Sequence, residues 1–175
     1  FNSSKILLNK HDPYLKRYIN SLVLENKVAQ AVNLIKNNKD KDNSDFFDAY
    51  LLLILDSLKK NDLIKAQKYL NASNRFAEND RFTSAILESL KQYIYVFKEK
   101  KILNENKNFG KLSIISETFQ RCFLGDKKTD IYFSNLVNDI SSDYTRYVYF
   151  YMSFLIESNR VEEAKSISDN INFIN

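Results

Sequence analysis

The residues that could do chemistry are few, and each stands nearly alone. His11 is the single histidine and Cys122 the single cysteine. Nucleophilic catalysis needs a nucleophile, a base and an orienting group brought together. His11 and Asp12 are chain neighbours, which makes a turn pair and not a triad. Cys122, within Gln120–Leu124, has no nearby His to activate it and reads as a structural thiol facing a helix interface. One Cys supports neither a disulfide scaffold nor a Cys-based zinc site, and one His supports no multi-His metal site. Gly110 and Gly125 are the two glycines, too few for a phosphate-cradling loop. Glu162-Glu163 and Asp139 with Asp143 suggest carboxylate pairs. The first, however, falls in the opening turn of a helix, where acids favour the dipole, and the second near a cap. Asn2-Ser3-Ser4 and Asn71-Ala72-Ser73 match the glycosylation triplet, as an Asn-rich chain does by chance. These residues predict no catalytic activity, no metal and no cofactor.

What remains is surface, so the elements that shape it matter. The chain has 175 residues, 44% apolar and 27% charged, enough to bury a core as one domain. One Pro and two Gly are too few for a loop-rich β-sandwich. Residues 1–128 hold 23 Lys/Arg against 15 Asp/Glu, and residues 129–175 hold 3 against 7. That lengthwise polarity could attract nucleic acid or acidic partners; it also fits the Asn, Lys, Ile, Phe and Tyr bias of an A/T-rich coding sequence. The uncharged stretch Tyr147–Ile156 is too short to cross a bilayer, which takes about 20 residues. Residues 1–8 lack the basic start and apolar middle of a signal peptide. The cytoplasm is favoured; because the chain begins at Phe1, export stays open, and the sequence could be a fragment of a longer chain.

Apolar periodicity predicts helices in pairs, at about 12–38, 44–78, 81–124 and 143–172, with 127–142 irregular or a short helix. Asp12-Pro13 is a good helix start, and Leu15, Tyr18, Ile19, Leu22 and Val23 follow on one face. Ser44 or Asp45 is expected to cap a helix that is apolar nearly all round, from Phe46 to Leu58, and therefore the most buried. A longer helix runs from Arg81 to about Lys101. Gly125 is placed to end the Phe109–Leu124 helix in a left-handed conformation. Tyr147–Tyr151 reads YVYFY, a strand-favouring run, but its length and lack of polar alternation predict helix.

Three junctions spell one phrase: Asn26-Lys27-Val28-Ala29-Gln30-Ala31, Asn61-Asp62-Leu63-Ile64-Lys65-Ala66 and Asn159-Arg160-Val161-Glu162-Glu163-Ala164. About a quarter of one such match is expected by chance, so three indicate repetition. Asn can turn the chain with positive φ; the aliphatic residue would anchor the second helix, and the small Ala would let it approach its partner. Ala31 to Ala66 spans 35 residues and Ala66 to Ala164 spans 98, close to three periods, with one degenerate unit between.

The phrase resembles the tetratricopeptide repeat over about 12–78 and 145–172. Aligned by the Ala, that family's large first-helix position falls on Leu15, Tyr50 and Val148, and its next apolar one on Tyr18, Leu53 and Tyr151. The chain departs from it in using Asn for the turn Gly, in placing Ile19, Ile54 and Met152 where a small residue belongs, and in lacking the closing Pro. The resemblance implies an all-α, right-handed α-solenoid of about four antiparallel helix pairs, a protein–protein interaction module or scaffold. It also implies a concave face made by the first helices, with Lys16, Asn20, Leu51, Leu55, Leu58, Arg146, Tyr149 and Ser153 inward. A 34-residue step adds Phe82, Ser89 and Gln92. Such a face would take a peptide or a helix, unless the leucines are packed in a compact bundle.

The phrase is also similar to the RNA-binding pentatricopeptide repeat, but Phe46, Phe47 and Tyr144 sit where polar base-reading residues belong. The second functional reading is nucleic-acid binding through 91–128, where nine Lys/Arg face four acids and Tyr93, Tyr95, Phe97 and Phe119 interleave. The apolar Ile171–Asn175 end suggests self-association, a covering partner or a further piece of chain.

Overall fold

The computed structural model describes residues 12–38, 45–78, 80–103, 109–138 and 145–170, and these are helical without a strand. Its helices are α1 (Asp12–Leu24), α2 (Val28–Asn37), α3 (Phe47–Lys59), α4 (Leu63–Ser73), α5 (Arg81–Glu99), α6 (Lys111–Leu124), α7 (Thr129–Val137), α8 (Thr145–Glu157) and α9 (Val161–Asn170). A 3-10 turn, Asn74–Ala77, follows α4. Two compact units divide the chain, 1–98 and 99–175. The pair expected over 81–124 is thus split, α5 falling almost wholly in the first unit and α6 in the second. No helix of the described residues is long and apolar enough to cross a membrane.

The repeated phrase has one geometry three times. Asn26, Asn61 and Asn159 take φ of 59°, 56° and 60°. In each case the Asn amide donates to the carbonyl three residues back, and the next amide to the carbonyl five back. Asn61 N–H reaches Leu58 O at 2.9 Å and Asp62 N–H reaches Ser57 O at 2.9 Å. This double bond pattern closes a helix on a left-handed residue. Gly125, at φ 62°, closes α6 the same way, its amide on Cys122 O and that of Asp126 on Arg121 O. Five residues after each Asn, Ala31, Ala66 and Ala164 are at most 2% exposed, so a larger side chain would push the second helix off the first.

Because a β-branched residue is penalised in the left-handed region while glycine is not, Asn61→Val should cost about 1–2 kcal/mol and Asn61→Gly only a few tenths. Urea unfolding of both variants checks this; equal losses would mean that the side chain of Asn61, and not its φ, secures the turn.

Several expectations are corrected. At two of the three junctions the aliphatic residue is a weak anchor, since Val28 and Val161 are 41% and 55% exposed while Leu63 is half-buried; full burial falls on the Ala three residues later. Helix α3 is preceded by Phe46 in extended conformation with no side-chain cap. Asp45 instead accepts from the Tyr50 hydroxyl at 3.2 Å and pairs with Arg75, and Ser44 lies outside the described residues. Nor is α3 sunk on all sides: it buries Ala49, Leu53, Ile54 and Ser57, whereas Leu55 stands 46% exposed. Helix α5, the longest, buries seven positions on two stripes, Thr83, Leu87, Leu90 and Ile94 on one and Ser89, Gln92 and Val96 on the other. Tyr147–Tyr151 is helical as expected, and 127–142 contributes a true helix, α7.

In the first unit Leu15, Ile19, Ile35, Leu53, Ile54, Leu70, Leu87 and Ile94 share one core. That of the second unit gathers Phe133, Tyr151, Leu155 and Ala164, with Phe119, Phe154, Met152 and Cys122 against it.

Candidate protein-interaction face

In the first unit the stripe begins with a cation that is already matched. Lys16 Nζ on α1 lies 3.0 Å from Asp48 Oδ2 on α3 and 5.6 Å from the centre of the Phe46 ring. Asp48, Leu51, Leu55 and Leu58 recur at helical spacing, so the acid belongs to the same stripe as the expected apolar floor. It was readable in the sequence as the residue one turn before Leu51. Leu51 and Leu58 are half-buried against the core, and Leu55 faces away from it. Asn20 is exposed, as is Phe82, at 72%, in the first turn of α5. Ser89 and Gln92 are withdrawn from solvent, 6% and 2% exposed, and present nothing to a ligand.

Behind α3, Asp56 joins the second helix of the preceding pair. Lys36 on α2 donates to it at 2.8 Å, and Lys60 lies at 2.8 Å. Burial pushes the Asp56 carboxyl up, but the two ammonium groups outweigh it and hold the group below the usual Asp range. The pair of α4 and α5 also leaves an open pocket of about 460 Å³ lined by Leu63, Ile64, Gln67, Ile94 and Lys98. Sequence periodicity gave no sign of it.

In the second unit Arg146 and Tyr149 are exposed, Tyr149 at 73%. Ser153 is half-buried and its hydroxyl donates to Tyr149 O at 2.9 Å. Phe150 and Ile156, 46% and 51% exposed, extend this face, the Phe150 ring also standing edge-on to Phe119 at 5.1 Å. Opposite them, Val148, Tyr151 and Leu155 point into the core. Tyr151 donates its hydroxyl to Asp130 Oδ1 at 2.7 Å, and Arg160 reaches the same carboxylate at 3.0 Å. Burial first, then the bond to Asp130, push the Tyr151 phenol up to about 12.

Among the described residues weighed for chemistry, the surroundings are structural. Cys122 is half-buried, and burial pushes its thiol up, away from the thiolate form a nucleophile needs. Glu163 is held by Arg160 at 2.5 Å. Asn71-Ala72-Ser73 is wound into α4, with Ser73 fully buried and bonded to Leu70 O. His11, Asp139, Asp143 and Asn2-Ser3-Ser4 lie outside the described residues. In the basic 91–128 region Arg121 is engaged by Glu117 at 2.6 Å and Asp126 at 2.7 Å, and lies over the Tyr132 ring at 4.4 Å. Lys100 sits 4.7 Å over Phe123. Tyr93, Tyr95, Phe97 and Phe119 are all half-buried, which limits stacking on bases.

No protein-family model, curated protein or solved structure matches the chain. The functional reading therefore rests on the faces just described.

Proposed function

We propose that the chain is a non-catalytic protein-interaction module built of tetratricopeptide-like helix pairs in a right-handed array of about four. Its ligand is a peptide or helix of another protein, taken on the outward stripe of α3 in the first unit. The observation that carries this is apolar exposure on the side of α3 turned away from the core of the first unit, at Leu55. A surface helix normally makes that side polar, and exposed apolar surface of this kind marks partner sites. The thrice-repeated left-handed Asn turn with its buried Ala supports the repeat reading.

Leu55→Glu is the informative variant, since Leu55 is exposed enough for the change to spare the core. Protein recovered from the source lysate after nuclease treatment should fall about tenfold or more for this variant if Leu55 is a contact hot spot, with the circular dichroism spectrum unchanged. Undiminished recovery would reject the α3 stripe. Recovery abolished by nuclease alone would turn the reading to nucleic acid.

A further inference from the structure

The outward stripe of α8 is apolar in the middle and oppositely charged at its ends. Arg146, Tyr149, Phe150, Ser153, Ile156 and Glu157 fall at intervals of three and four on the side opposite Val148 and Leu155. Arg146 and Glu157, both exposed, are separated by 11 residues, about 16 Å along the helix. Between them lie the exposed rings of Tyr149 and Phe150 and the exposed Ile156. Near the midpoint is the small Ser153, whose hydroxyl is satisfied by Tyr149 O in its own helix and so needs no water.

A stripe with a cation at one end, an anion at the other and a small residue near the centre is complementary to itself when turned end for end. We infer that α8 pairs antiparallel with α8 of a second copy of this chain, Arg146 of each facing Glu157 of the other across a two-fold axis midway between Phe150 and Ser153. Such an interface is isologous: each contact occurs twice. Phe150 packs over Ser153 of the other copy, where a larger residue would hold the helices apart, and Ile156 meets the Tyr147 end of the stripe. The alternating three-and-four spacing is that of a two-helix seam. At 13 residues α8 makes a short seam, so the dimer is of the weak, small-interface kind. The inference concerns α8 of the second unit and stands apart from the proposed ligand face on α3.

Sedimentation velocity over a hundredfold concentration series, with the whole chain, tests it. The wild type should pass from monomer to dimer. Arg146→Glu places two acids opposite each other at both ends, Glu157→Arg two cations, and each should weaken the dimer about tenfold. An equimolar mixture of the two variants should dimerise again, because each then meets its complement. A monomer at every concentration, a dimer indifferent to both reversals, or a mixture that stays apart would overturn the antiparallel pairing. A monomer that still captures a protein through Leu55 would remove this inference and leave the proposed function standing.

Discussion

Phe133→Ala is expected to lower stability by about 3–5 kcal/mol, the range for deleting a buried aromatic ring. Phe133 on α7 is 1% exposed and is surrounded by rings from two other helices. Phe119 stands edge-on at 5.7 Å, Tyr151 lies stacked at 5.4 Å and Phe154 is tilted at 5.7 Å. Small aromatic clusters cannot collapse into the hole, since each ring is held by the next. A loss of that size is a large fraction of the 5–15 kcal/mol typical of a domain. Urea unfolding measures it, and amide exchange locates it: protection should fall across 109–138 and 145–170. Phe133→Leu, which keeps much of the volume, should cost under about 1.5 kcal/mol. A loss below about 1 kcal/mol for the Ala variant would mean that the second core is loosely packed.

The second large effect appears at high pH. Because the folded phenol of Tyr151 is pushed up to about 12, the folded chain holds that proton more tightly than the unfolded chain does. Its contribution is fully present below about pH 10, the unfolded value, and is lost as pH rises through the folded value. Two units correspond to an upper limit of about 2–3 kcal/mol. Comparison with Tyr151→Phe isolates this from other groups that titrate there. The wild type should be the more stable by about 1–2 kcal/mol at neutral pH, where its hydroxyl bonds a carboxylate, and the advantage should vanish by pH 12. A constant difference across that range would show that Asp130 and burial do not hold the phenol protonated.

Much of the local structure was legible because it depends on short spacings. The Asn turns and their Ala needed only six residues each, and Asn26, Asn61 and Asn159 adopt one backbone geometry. The YVYFY run is helical because its residues have a core on one side, Val148 and Tyr151. What spacing could not supply is the identity of neighbours brought in from afar. Asp48 neutralises Lys16 from another helix, so the cation expected beside the apolar floor is already paired. Ser89 and Gln92 look like surface residues by type, yet each is withdrawn from solvent in the fold. Gln120 goes further, being fully buried with neither amide atom hydrogen-bonded among the described residues. Polar type alone therefore misplaced the exposed side of α5 and could not mark α6.

The pattern of packing also governs how the chain acquires its structure. The principal helix contacts in each unit join neighbours along the chain: α1 with α2, α2 with α3, α3 with α4, then α6 with α7, α7 with α8 and α8 with α9. Each closure spans only a hairpin, so little loop entropy is lost before a contact rewards it. Topologies of this kind order quickly, in microseconds to milliseconds for small helical domains. With Pro13 the single proline, at most one peptide bond can impose the slow isomerisation that delays proline-rich chains. Each hairpin can thus form as soon as its second helix is present and serve as the template for the next, in the direction of synthesis.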